Sequence, residues 1–220
     1  CSSDLVYDSI VNEVTRSCVK AANYYSEKII EHGVTPRGVD WNGEKSQTIR
    51  FEQLCKVIDL DKPVFSLNDL GCGYGALLNY LRDKHSSVAY LGVDVSLEMV
   101  KAARQQHAAT DQARFINSAE PDQMSDYGVA SGIFNVRMGR SDDEWRSYLE
   151  ATLDVLDRTS RFGFAFNCLT SYSDADKMRD YLYYADPCAL FDLCKRRYSR
   201  NVALLHDYDL FEFTIIVSKL

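Results

Sequence analysis

The residues with the most chemical content lie in one short run, Asp69-Leu70-Gly71-Cys72-Gly73-Tyr74-Gly75. Glycine at every second position lets the backbone turn sharply and approach a ligand where a Cβ would clash. A helical pattern starts directly afterwards, and the N–H groups at a helix start favour an anionic group. Asp94 closes the next apolar run, about 20 residues on, where a carboxylate can accept both hydroxyl hydrogens of a ribose. Loop, helix and acid together describe a nucleoside-binding crevice at the carboxyl ends of strands.

Other candidates are sparse. Asn135 follows the apolar run 129–134, His206 sits in a short polar link at 206–209, and Tyr184 belongs to a group with Tyr172, Tyr181 and Tyr183. These three are the candidates for catalytic contact. Tyrosines supply flat apolar area with a polar tip, suited to a ring or sugar and equally to core packing. His32, His85 and His107 stand in polar or helix-end contexts and are expected to face solvent. No His/Asp/Glu grouping has metal-ligand spacing, so no metal is expected. Seven scattered cysteines without a C-x-x-C pair read as free, buried thiols of a reducing compartment.

These residues need elements to position them. Steps of three and four from Val6 to Ile29 predict a helix, broken by Gly33, Pro36 and Gly38. A second helix is expected over 45–58, with Phe51, Leu54 and Ile58 on one face. From residue 64 short apolar runs alternate with helical ones: 64–70 then 76–81, 88–93 then 97–104, 115–117, 129–134 then 142–157, and 162–166. That alternation indicates an α/β fold with a mainly parallel sheet. Ser141 and Glu144 fit a capping box at the start of the helix near 142. Runs 202–205 and 211–217 form a closing hairpin, so the last strand should be antiparallel. The division expected is a helical extension or lid at 1–62 and a core at 63–220.

The chain has 220 residues, 46% hydrophobic and 26% charged, with a net charge of −7. These proportions exclude a disordered or rod-like chain. No run approaches the roughly 20 apolar residues of a membrane helix, so a soluble, cytoplasmic protein is expected. The acidic balance disfavours nucleic acid and acidic membranes as partners. One basic run, Lys195-Arg196-Arg197-Tyr198-Ser199-Arg200, is either a solvated helix end or a contact for an anionic substrate.

The order acid, then G-x-G-x-G, from Asp69 to Gly75, resembles the first motif of the class I S-adenosylmethionine-dependent methyltransferases. The similarity spans about 64–217 in element order, including the closing hairpin. It implies a Rossmann-like seven-stranded sheet with helices on both faces and an antiparallel last strand. It implies S-adenosylmethionine as cofactor, held at the methionine end by Asp69, Gly71, Cys72, Gly73 and Gly75. By the same resemblance Asp94 holds the ribose, Val95 and Met99 border the adenine, and Ser118 and Ala119 contact it, although an acid frequent in the family is replaced here by Asn117-Ser118. Phe134 and Asn135 would face the transferring methyl. Lids in this family lie over the cofactor, and Arg50, beside Trp41 in such a segment, is a candidate partner for its carboxylate.

The expected acceptor is a small molecule, anionic or sugar-like, methylated on oxygen or nitrogen. The Asn-Val-Arg at 135–137 lacks the Pro-Pro-aromatic motif of base N-methyltransferases. Pro187-Cys188 does not stand where cytosine carbon-5 enzymes carry that dipeptide. Two alternatives stay open: a nicotinamide-dependent oxidoreductase on a similar sheet, and a non-catalytic scaffold.

Overall fold

The computed structural model describes residues 19–41, 43–59, 62–85, 87–137 and 139–219. Part of the first predicted helix, residues 5–18, therefore lies outside the described residues. Residues 19–32 are helical (α1), ending at Gly33, whose φ of +65° favours glycine. A 3-10 turn at Pro36–Val39 leads to α2, Glu44–Leu54. Its Phe51 and Leu54, with Ile58 beyond, enter the same apolar cluster as the sheet, so this stretch packs as part of the core.

The core elements are β1 Val64–Leu70, α3 Ala76–Arg82, β2 Ser87–Asp94, α4 Leu97–Gln106, β3 Ala113–Asn117 and β4 Ser125–Ala130. They continue with α5 Asp142–Arg158, β5 Ser160–Leu169, α6 Pro187–Arg197, β6 Asn201–Leu205 and β7 Glu212–Ser218. The seven strands run in the order β3-β2-β1-β4-β5-β7-β6. All neighbours from β3 through β5 are parallel, and β7 is antiparallel to both β5 and β6.

Side chains alternate across the sheet, as the pleat dictates. Leu91, Val93, Phe164, Phe166, Phe213 and Ile215 pack beneath α5 and α6. Phe65, Leu67, Val88, Tyr90 and Tyr127 pack against α2, α3 and α4 on the other face. The expected capping box starts α5: Ser141 Oγ accepts from the Glu144 N–H, and the Ser141 N–H donates to Glu144 Oε2. Helix α6 matches the reading of the basic run as a helix end, though its start was not read from the sequence. Asp186 caps it through the N–H groups of Cys188 and Ala189, with Pro187 at its first turn.

Strand order reverses direction between β1 and β4, which connect outward to opposite sides. In open parallel sheets the crevice at such a reversal, beyond the carboxyl ends of the strands, is the place for a ligand.

Among the described residues no disulfide forms; Cys72, Cys168 and Cys194 are buried, whereas Cys188 is exposed, contrary to expectation. No described helix is long and apolar enough to cross a membrane.

Candidate active site

A cavity of about 920 Å³ opens at that reversal. It lies near the upper end of the range for small-ligand sites. Its walls include the glycine loop, Asp69, Asp94, Val95, Met99, Ser118 and Ala119 from the strand ends, and Tyr25, Trp41 and Arg50 from the helices before β1. The structure thus brings together every expected cofactor residue except Gly75 and Phe134.

The loop has the backbone its glycines imply. Gly71, Gly73 and Gly75 all have φ between +55° and +82°. A Cβ on Gly71 would sit 2.1 Å from Ile133, and one on Gly73 would sit 2.8 Å from Val39. The loop's own donors are largely spent: the N–H groups of Gly71 and Cys72 bond the Val93 carbonyl, and the Gly75 N–H bonds Cys72. The Gly73 N–H donates to Asp94 Oδ2 at 2.9 Å. Four amides that a pyrophosphate would need are engaged, which disfavours a dinucleotide.

Asp94 also accepts from the Ser96 N–H at 2.8 Å. Each carboxylate oxygen keeps a second lone-pair direction for a ligand hydroxyl. Asp69 is 2% exposed and receives the Tyr90 hydroxyl on Oδ2 at 2.5 Å. Its Oδ1 is buried without a partner. Burial pushes the Asp69 carboxyl up to about 7, against the Tyr90 hydrogen bond, which lowers it. Burial likewise raises Asp94 to about 6, opposed by its two backbone donors. An unpaired buried acceptor on a cavity-lining residue is costly unless a donor or cation completes it. The ammonium of an amino acid supplies both.

The Cys72 thiol is pushed well up by burial and by Asp94, so it is a filler in the wall and no nucleophile. Helix α1 covers this end of the cavity. Ser26 Oγ lies 2.8 Å from Ser96 Oγ, and Ile29 packs with Tyr74 and Met99.

Several expectations need correction. Phe134 is fully buried among Phe166 and Tyr148, in the core and not in the cavity. Strand β4 ends at Ala130, and Gly132, at φ +75°, turns the chain so that Ile133 faces the cavity while Phe134 turns inward. His206 is exposed, its ring near Tyr172 and Phe213, and it does not line the cavity. Neither does Tyr184, whose hydroxyl accepts from the Arg179 N–H. Asn135 does line it; its Oδ1 accepts from the Leu169 N–H at 3.2 Å.

Arg50 reaches the cavity wall, but its fork is closed on Glu212, at 2.7 and 2.8 Å, and is not open for a ligand carboxylate. His107, expected in solvent, is buried against Phe115 with Nε2 3.0 Å from the Gly75 carbonyl; burial lowers its pKa. The basic run is partly paired: Arg196 pairs with Asp192, Arg197 with Glu150 and Asp154, and Lys195 donates to the Arg200 carbonyl. Among the described residues no group of three or more His, Cys, Asp or Glu side chains could hold a metal.

Sequence reasoning missed Tyr25, Ile133 and Glu212. For Glu212 a signal existed, an acid inside the apolar run 211–217.

A sheet of this order, with a glycine loop and two buried acids at its reversal point, defines a Rossmann-like α/β fold with a ligand crevice at the strand ends. Comparison with known proteins agrees. The "Methyltransferase domain" family matches residues 68–162. A Mycobacterium tuberculosis (strain ATCC 25618 / H37Rv) protein named "Putative methyltransferase Rv1506c" is 64% identical over 155 residues, covering 70% of this chain and 93% of that one. The fold is shared with magnesium protoporphyrin IX methyltransferase (ChlM) from Synechocystis PCC 6803 with bound SAM, at a TM-score of 0.62, 12% identity, and 92% and 97% of the two chains. It is also shared with the DhpI-SAH complex, at a TM-score of 0.54, 14% identity, and 95% and 96% coverage. The chain belongs to the class I S-adenosylmethionine-dependent methyltransferase family.

Proposed function

We propose that the protein transfers a methyl group from S-adenosylmethionine to oxygen or nitrogen of a small-molecule acceptor. The observation that carries the reading is the unpaired Oδ1 of buried Asp69, placed beside the glycine loop and in the same cavity as Asp94. Asp69 then accepts the cofactor ammonium, Asp94 the ribose hydroxyls, and Ser118 and Ala119 border the adenine. Sheet order acts as a ruler: adenine over β3, ribose over β2, methionine over β1. The acceptor is left the side of β4 and β5, where Gly132, Ile133 and Asn135 line the cavity.

The cofactor supplies an activated methyl on a sulfonium, open to in-line displacement. The chain's part is to hold donor and acceptor in line and exclude water, and orientation of this kind contributes several kcal/mol. Among the described lining residues there is no histidine. Asn135, with its Nδ2 available, serves to orient the acceptor atom and not to remove its proton. Arg50 and Glu212 offset each other at the acceptor end, where Arg179 adds a positive charge and Tyr181 and Leu182 add flat and apolar area. A small organic acceptor suits that surface.

Titration calorimetry with S-adenosylhomocysteine tests the cofactor half of the reading; saturable binding is expected, and no heat at millimolar ligand would overturn it. Incubation of the protein and S-adenosylmethionine with a metabolite extract tests the acceptor half. Mass spectrometry should find a small molecule heavier by one CH₂.

A further inference from the structure

A closed ring of contacts stands at the β4 end of the cavity. Arg50 of α2 and Glu212 of β7, 162 residues apart, form a forked pair buried at 9% and 1% side-chain exposure. Arg50 Nη1 donates to the Ser46 carbonyl at 2.9 Å. Glu212 Oε2 also accepts from Asn167 Nδ2 at 2.9 Å, and Asn167 Oδ1 accepts from the Gly132 N–H at 2.7 Å. The Trp41 indole lies on Gly132, so close that a Cβ there would be 2.6 Å from Cζ2 and Cη2. The Arg50 guanidinium then stacks 3.8 Å from the Trp41 ring centre, which closes the ring.

A buried ion pair is a poor way to gain stability, because an apolar pair of similar volume does as well without the desolvation penalty. What it provides is direction. A fork on a carboxylate fixes the guanidinium plane. The stacked indole inherits that plane, and Gly132 leaves the space into which its edge fits. The ring therefore joins the segment before β1 to the ends of β4 and β5, where the acceptor must enter.

We propose that Trp41 bounds the acceptor space beside the methyl-transfer point, and that Arg50, Glu212 and Asn167 are positioning residues that hold it there. The inference rests on the cofactor reading above. It makes Trp41 the residue that sets the size of the acceptor space, through a register supplied from the far end of the chain.

The two tryptophans provide the test, since Trp145 is buried at 1% exposure in the core. Emission of a Trp41→Phe variant reports Trp145 alone, and subtraction isolates Trp41. Acrylamide quenching of Trp41 should fall at least twofold on saturation with S-adenosylhomocysteine. In Glu212→Gln and in Arg50→Lys, quenching of Trp41 should rise at least twofold while that of Trp145 stays put. A general loosening would expose both tryptophans. Asn167→Ala, which removes the bonds to Glu212 and to the Gly132 N–H while leaving both charges in place, should act alike and serves if either charge variant fails to fold.

Unchanged Trp41 quenching in the folded variants, or equal rises at both tryptophans, would overturn the proposal. So would S-adenosylhomocysteine binding that leaves Trp41 as accessible as before. Absence of S-adenosylhomocysteine binding to the unmodified protein would overturn the cofactor reading, and with it the acceptor-space role of Trp41, whatever the variants show.

Discussion

The Tyr90 hydroxyl donates to Asp69 Oδ2 at 2.5 Å and leaves Oδ1 buried without a partner, on a residue that lines the cavity. One oxygen is tied to the core and the other still lacks a donor. The bond also favours the ionised carboxylate in a setting where burial opposes it. Tyr90→Phe should therefore raise the Asp69 pKa further and weaken S-adenosylhomocysteine binding near neutral pH by roughly ten- to a hundredfold, the worth of a hydrogen bond to a charged group. Calorimetry at two pH values checks this: the deficit should shrink as pH rises.

The raised acids give opposite pH dependences to the free and the bound protein. A carboxyl lifted from 3.8 to about 7, or to about 6, is favoured in its neutral form by the fold. Its contribution to stability is full below about 4 and is lost as pH climbs through the folded values. The melting temperature of the ligand-free protein should thus decline from about pH 4 to 7 on account of Asp69 and Asp94. Binding of an ammonium needs ionised Asp69, so affinity should climb by up to about tenfold per unit below 7 and level off above. Calorimetry in buffers of different ionisation enthalpy should detect proton release at pH 6 and little at pH 8.

Asp94 both supports the loop, through the N–H groups of Gly73 and Ser96, and faces the cavity. Asp94→Ala should weaken S-adenosylhomocysteine binding by roughly 1–3 kcal/mol and also lower the melting temperature, because two buried donors lose their acceptor. Unaltered affinity would remove the carboxylate from the ribose role.

His206 and Tyr184 lie outside the cavity. His206→Ala and Tyr184→Phe should leave S-adenosylhomocysteine affinity within about twofold, and stability within ~1 kcal/mol because each loses only partly exposed contacts. A larger loss of affinity in either would contradict the placement of the site.

What could be read beforehand was local. The glycine loop, Asp94 after the second strand, and the Ser141–Glu144 cap each depend on neighbours within a few residues, and each appears where its spacing puts it. Errors arose where tertiary contacts decide. Residues 129–134 look like one strand, yet Gly132 turns the chain and sends Phe134 into the core. His107 has polar neighbours in sequence, but its fold neighbours are Phe115 and Gly75. The basic run reads as open until α6 packs beside the acids of α5. Glu212 is legible as an anomaly in an apolar strand, while its partner Arg50 depends on β7 entering beside β5.

The slot taken by β7 has a consequence for assembly. Although β6 precedes it in the chain, β6 borders the sheet only through β7. During synthesis the sixth strand has nothing to pair with until the seventh has emerged and filled the gap beside β5. Closing such a long-range pairing is slow relative to local structure. The same late strand carries the counter-charge for Arg50, so a nascent chain that already holds its glycine loop still has an unsatisfied guanidinium at the edge of the site. Completion of the acceptor end and completion of the fold thus arrive together, with β7.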